Sequence, residues 1–198
     1  MTDSDLEARL RRAVAALPDG LRDHVLRVET EALALAERHG VDAQRTAFSA
    51  LGHDLVRHIK GEALLSLARG YGITPDGVEK ASPVLVHGPV AARMLARDYG
   101  VDDSEVLAGI DCHTTARAGM TPLEQVLFVA DKVEPWKLAH QPALEEVKQL
   151  ADQSLDDAVL RYLDYNLEES IRRGWQVHHR SLEARNQLLS RRPGAEKP

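Results

Sequence analysis

The chain has 198 residues and a formal net charge of −6, and this acidity argues against a broad basic surface for nucleic acid or for an anionic membrane. Hydrophobic residues make up 43% and aromatic residues 4%, which predicts a globular core built from aliphatic side chains. The single cysteine, Cys112, cannot form an internal disulfide and no apolar run has membrane-spanning length, so we expect a cytoplasmic protein.

Helical periodicity dominates the first part of the chain. The first apolar stripe ends near Pro18, and a second carries His24 and ends at Gly40, which is typical of a left-handed C-cap. Asp42 can cap a third helix. Glycines enclose a short leucine-rich segment over residues 61–70, which predicts a fourth.

The same pattern continues in the second half. Asp102 with Glu105 predicts one helix start, and Thr121 before a proline predicts another. Ser154 can cap a long amphipathic helix. No strand-like alternation persists and no sequence repeat of 20 to 50 residues occurs. The predicted fold class is therefore all-α.

No linker divides this helical chain. Glycine- or serine-rich stretches and charge blocks are missing from its interior, so we expect one domain over residues 1–190. Residues 191–198 are polar and contain proline, which predicts a flexible C-terminal tail.

Asp54 is predicted to lie in the core, and hydrophobic packing alone does not explain a carboxylate there. It falls on the apolar stripe of the third predicted helix, together with Ala47, Ala50 and Leu51. An unpaired carboxylate is costly in an apolar core. Asp131 repeats the problem on a later helix, and neither carboxylate has an obvious inward lysine or arginine. A bound cation is the expected partner.

Histidines supply the other candidate ligands. His53 directly precedes Asp54, and three more stand where the fold could bring them to the same place: His24, His87 and His113. A lone histidine on an apolar face is usually a hydrogen-bonded core residue, and a His-Asp dipeptide is common by chance. The residues alone thus leave a metal site and ordinary core histidines equally open. The remaining histidines lie in hydrophilic surroundings and are expected at the surface: His39, His58, His140, His178 and His179.

Several short motifs surround these candidates. They are Leu51-Gly52-His53-Asp54, Val86-His87-Gly88-Pro89-Val90, His113-Thr114-Thr115, Gly119-Met120, Leu123-Glu124, Val129-Ala130-Asp131-Lys132-Val133-Glu134-Pro135 and Glu183-Ala184-Arg185-Asn186. Together they resemble the HD-domain phosphohydrolase superfamily and, more narrowly, its YqeK family of symmetrical diadenosine tetraphosphate hydrolases. The resemblance runs from about residue 24 to residue 189.

The resemblance implies a single HD-domain helical bundle with a metal site in its core. It also implies two transition-metal ions. The family favours iron, and manganese, cobalt or zinc are the alternatives. One ion would be held by His24, His53, Asp54 and Asp131, and the second by His87 and His113, with Asp54 bridging. The expected reaction is attack of a metal-bound hydroxide on diadenosine tetraphosphate, a small nucleotide, to give two ADP. The oligomeric state is open and includes a homodimer.

Arginines are the predicted phosphate-binding residues, because guanidinium offers a fixed fork of donors. Arg57 and Arg117 are the first candidates, and Arg57 joins Asp54 as an expected catalytic residue. The family usually has an arginine at the position of Leu21, so Arg22 beside it is predicted to compensate. Two further departures from the family are Asp111, where arginine is common, and Ala116, where glycine is usual.

Two other functions stay open from the sequence. The same metals could act on another small nucleotide or on a phosphomonoester, since the departures concern the substrate. A metal-stabilised binding domain without turnover is the second alternative, although a silent site has no chemical need for open metal positions. Product analysis separates the first alternative from the expected reaction, and any metal-dependent turnover removes the second.

Overall fold

The computed structural model describes residues 2–192, and over that range the secondary structure is helical, with no strand. The α-helices are α1 (Asp3–Ala15), α2 (Asp19–His39), α3 (Ala43–Gly52), α4 (Gly61–Gly70), α5 (Gly77–Ala81), α6 (His87–Met94), α7 (Ser104–Cys112), α8 (Pro122–Val133), α9 (Pro135–His140), α10 (Glu145–Ala151), α11 (Leu155–Arg173) and α12 (His179–Ser190). The predicted all-α class is confirmed. From residue 193 onward, the predicted C-terminal tail lies outside the described residues.

Helix α8 forms the centre of the bundle. Every residue from Leu123 to Val133 is buried, which is the pattern of a helix surrounded by other elements rather than lying on a surface. Helices α2, α3, α7, α10 and α11 all pack against it. The largest fully buried side chains include Phe128 and Leu127 of α8 and Leu51 of α3. No helix in residues 2–192 is long and apolar enough to cross a membrane.

The helix ends agree with local capping chemistry, with one instructive exception. Gly40 takes the left-handed conformation with φ 66°, and Thr121 and Ser154 accept main-chain N–H groups of the helices that they cap. The prediction that Asp102 caps α7 is wrong, because Asp103 accepts the N–H groups at the start of that helix. Arg45 of α3 fixes this choice, since its Nε atom lies 2.7 Å from Asp103 Oδ2.

His178 lies at the start of α12 and is buried, contrary to the prediction from the sequence. It was expected at the surface, yet it is only 6% exposed and its Nδ1 atom accepts the Arg180 main-chain N–H at the start of α12. In a neutral ring Nε2 then carries the proton, and it lies 3.7 Å from Glu79 Oε1 and 3.9 Å from Asp76 Oδ2. Both distances are too long for a hydrogen bond, and within residues 2–192 Nε2 is buried without a hydrogen-bond partner. His178 therefore caps α12 and lies beside Asp76 and Glu79 at the start of α5.

Candidate metal centre

Six side chains from separate parts of the chain meet beside α8 and are called here the His-Asp cluster. Its members are His24 from α2, His53 and Asp54 at the end of α3, His87 at the start of α6, His113 at the end of α7, and Asp131 of α8. All except His24 are buried. The structure thus brings together the six residues predicted as ligands.

Asp54 lies in the middle of the His-Asp cluster. Its Oδ2 atom is 3.6 Å from the Nε2 atoms of both His24 and His53. Its other oxygen, Oδ1, is 2.9 Å from His87 Nε2 and 3.5 Å from His113 Nε2. The two carboxylate oxygens therefore face two different pairs of imidazoles, which is the arrangement that a bridging carboxylate requires.

The imidazole rings are oriented by the main chain. In His53 and His113 the Nδ1 atom lies 2.7 Å from the carbonyl oxygen three residues earlier, and His87 makes the same contact. A carbonyl oxygen can only accept, so Nδ1 donates its proton and the neutral ring keeps an unprotonated Nε2 atom. The helix ends on which these residues lie thus direct three Nε2 lone pairs towards one point.

The converging atoms lack ordinary hydrogen-bond partners. The Nε2 atoms of His87 and His113 lie 2.9 Å apart, although neither has a proton to donate to the other. Within the described chain, His53 Nε2 and Asp54 Oδ1 are buried without a hydrogen-bond partner. Such orphaned groups are costly in a protein interior. A cation among them would satisfy nitrogen and oxygen lone pairs together, so the donor set fits a metal.

The protonation states also suit a metal. Burial lowers the pKa of His53 to about 3 and lowers that of His113 as well. Burial acts in the opposite direction on Asp54, but the surrounding histidines, His53 first, hold the pKa of this carboxyl well below its ordinary value. Neutral imidazoles and an ionised carboxylate are the forms that coordinate metals.

Asp131 differs from Asp54 in its charge balance. Lys132 Nζ lies 2.5 Å from one carboxylate oxygen of Asp131, and Lys137 Nζ lies 2.7 Å from the other. The expectation that no lysine points inward is therefore wrong. Lys132 is buried because α8 is enclosed on all sides, so a residue next to an inward carboxylate is inside too. Asp54 remains the carboxylate of the His-Asp cluster that faces only histidines.

Glu134 is a site residue that the sequence reasoning missed. Its carboxylate is fully buried, with Oε1 3.3 Å from His24 Nδ1 and Oε2 2.6 Å from Arg27 Nε. Since a carboxylate accepts, His24 donates through Nδ1 and turns Nε2 towards Asp131 at 3.1 Å. Hydrogen bonds of this kind fix the orientation of a metal-binding histidine. The available signal was spacing, because Glu134 follows Asp131 by one helical turn.

A cavity of about 940 Å³ opens over the His-Asp cluster. Arg57 and Leu21 line it, whereas the structure does not place Arg22 and Arg117 there. Arg22 instead pairs with acidic neighbours on the surface of α2. Arg117 pairs with the buried Glu124 of α8, and neither residue lines the cavity. Of the three arginines predicted to bind phosphate, Arg57 therefore lines the cavity, whereas Arg22 and Arg117 do not.

The sequence matches the family described as HD domain over residues 21–136, a span that contains the whole His-Asp cluster. The chain belongs to the HD domain family. The match also covers Glu134 and most residues that line the cavity.

Relatives of this HD domain chain extend the similarity over most of its length. The symmetrical bis(5'-nucleosyl)-tetraphosphatase of Staphylococcus aureus is 29% identical over 184 residues, or 92% of this chain and 93% of the relative. The protein of the same name from Bacillus subtilis is 34% identical over 138 residues, 70% of this chain and 73% of that relative. A crystal structure described as a predicted HD superfamily hydrolase involved in NAD metabolism, from Clostridium acetobutylicum, has a TM-score of 0.88 at 28% identity and covers 93% of this chain and 97% of that one.

Proposed function

We propose that this HD domain chain hydrolyses diadenosine tetraphosphate symmetrically, to two molecules of ADP. The observation that carries the proposal is Asp54, which turns one oxygen to each of two imidazole pairs at the floor of a large cavity. The symmetrical tetraphosphatases named above, one similar over 92% of this chain, support the choice of substrate.

Two transition-metal ions fit the proposal. His24, His53, Asp54 and Asp131 would hold one, and His87 and His113 would hold the other, with Asp54 shared. Imidazole nitrogen and carboxylate oxygen suit iron, with manganese, cobalt and zinc as alternatives. When bound, such a pair of ions activates water as a nucleophile and neutralises charge on phosphoryl oxygens.

The protein's own residues orient the site and hold the substrate. Glu134 fixes the orientation of the His24 ring. Burial raises the pKa of Asp131, but the nearby positive charges, Lys132 first, hold it well below its ordinary value. Asp131 is therefore ionised at neutral pH. Arg57 is half-buried, lines the cavity and has no carboxylate partner among residues 2–192, so its guanidinium is available to phosphate oxygens. Attack of water on the second phosphorus breaks the central P–O–P bridge, and one ADP leaves as the other forms.

Product identification tests the proposal. Purified protein, loaded separately with iron, manganese, cobalt or zinc, is incubated with diadenosine tetraphosphate, and the nucleotides are separated by anion-exchange chromatography. We expect two ADP for each substrate consumed, and no turnover after treatment with a chelator. AMP together with ATP would show that an outer phosphate is attacked, and this result would overturn the assigned activity.

Arg57→Ala is expected to weaken substrate binding. Charge-assisted hydrogen bonds contribute about 1.5–3 kcal/mol, so KM for diadenosine tetraphosphate should rise about ten- to a hundredfold. Arg22→Ala is the matched control, because Arg22 pairs with Asp19 and Asp23 and does not itself line the cavity. Steady-state kinetics compares the two variants. A larger loss in Arg22→Ala than in Arg57→Ala would show that the phosphates are held at the α2 surface.

A further inference from the structure

Trp136 is an exposed aromatic side chain on the wall of the cavity. Its indole is 53% exposed, although burial of an aromatic ring is strongly favourable. The second tryptophan, Trp175, is similarly exposed at 57% but lies away from the cavity, beside Arg173. Among the described residues that line the cavity, Trp136 is the one phenylalanine, tyrosine or tryptophan.

The indole is held in place from one side. The His140 ring stacks on it with 4.1 Å between ring centroids and an interplanar angle of 26°. His140 Nδ1 donates to the Trp136 carbonyl oxygen at 2.8 Å, and this hydrogen bond orients the imidazole ring of the stack. His140 does not line the cavity, so the covered face of the indole is turned away from it. Trp136 is nevertheless 53% exposed, which leaves the other face of the indole open.

The main chain of Trp136 is tied to the His-Asp cluster. Its N–H group donates to Glu134 Oε2 at 2.9 Å, and the other oxygen of this carboxylate contacts His24 Nδ1. One buried carboxylate therefore contacts both a candidate metal ligand and the main chain of Trp136. Because Trp136 and the His-Asp cluster line the same cavity, a ligand with its phosphates at the cluster can extend towards the indole.

We propose that Trp136 binds a nucleobase of the substrate by stacking on its open face. This inference rests on the proposed hydrolysis of a dinucleoside polyphosphate, because such a substrate carries a base at each end of its phosphate chain. Aromatic side chains stack on bases through the π-face that every base has, so the subsite selects an aromatic base without reading its hydrogen-bonding edge. Trp136 thus contributes to specificity for nucleotides over base-free polyphosphates.

Tryptophan fluorescence tests the contact directly, since the chain has two tryptophans. Trp175→Phe leaves Trp136 as the only tryptophan, which is excited selectively over the tyrosines, and this metal-loaded variant is titrated with ADP and, separately, with inorganic pyrophosphate. ADP should quench the emission in a saturable manner, and pyrophosphate should not. In the reciprocal Trp136→Phe variant, ADP should leave the Trp175 emission unchanged. Quenching by both ligands alike, or by neither, would overturn the stacking proposal.

Inhibition kinetics provides the second readout. Trp136→Ala should raise the inhibition constant of ADP about five- to a hundredfold and leave that of pyrophosphate unchanged, while Trp136→Phe should recover part of the loss. An enzyme that releases two ADP but shows equal ADP inhibition with and without Trp136 would refute the subsite and leave the proposed function intact. Saturable quenching of Trp136 by ADP without any hydrolysis would refute the proposed function and leave the subsite intact.

Discussion

Asp54→Asn should abolish hydrolysis of diadenosine tetraphosphate while the protein stays folded. Asparagine keeps the shape of the side chain but removes the negative charge that faces His24, His53, His87 and His113. It also replaces one candidate ligand oxygen by an N–H donor. Because metal ions stabilise phosphoryl transfer by several kcal/mol, kcat/KM should fall by at least about a thousandfold.

The measurement pairs kinetics with elemental analysis. Circular dichroism first establishes that the variant is folded, and metal content is then compared with that of the unchanged protein. Asp23→Asn is the control, since Asp23 also lines the cavity but lies outside the His-Asp cluster and pairs with Arg22. Near-normal turnover in a folded Asp54→Asn variant that retains its metal would refute the bridging role.

Local chemistry accounts for the part of the structure that the sequence predicted well. Gly40 ends α2 because a glycine takes positive φ at little cost, and Thr121 begins α8 because its side chain satisfies a main-chain N–H group. Helical periodicity also predicted that Asp54 is buried, and it is, although α3 ends at Gly52 and Asp54 lies in the turn that follows. These features are set within one or two turns of the residue concerned.

Contacts between different elements of the fold account for the errors. Arg117 has the chemistry of a phosphate-binding residue, but it pairs with Glu124 of α8 and does not line the cavity. Asp103 rather than its neighbour caps α7 because Arg45 reaches it from α3. The enclosure of α8 similarly turned Lys132 inward, beside Asp131. In each case a contact with another part of the fold determined the outcome, and the local sequence does not contain that contact.

Gly88→Ala should displace two candidate ligands at once. A Cβ atom at this position would lie 2.7 Å from the Ile110 carbonyl oxygen, 3.0 Å from the Asp111 carbonyl oxygen and 3.1 Å from His113 Nδ1. Two of these contacts are main-chain atoms of α7, so α6 and α7 must move apart. His87 directly precedes the substitution and His113 lies against it, and their Nε2 atoms would separate.

We expect a free energy of unfolding lower by about 1–3 kcal/mol, as for overpacking of a close contact. Misplacement of reacting groups by about 1 Å can cost about a hundredfold, so kcat/KM should fall by about that factor. Gly109→Ala is the matched control in the packed helix α7, because the nearest atom, Glu124 Cα, would be 3.6 Å from the new Cβ. That substitution should leave metal content unchanged and should not destabilise the protein, since alanine favours a helix over glycine by about 1 kcal/mol.

Urea unfolding, metal content and kcat/KM are measured for both variants. Because both add one methyl group where the α7 backbone packs, equal behaviour of the pair would contradict the idea that close approach at Gly88 sets the spacing of His87 and His113.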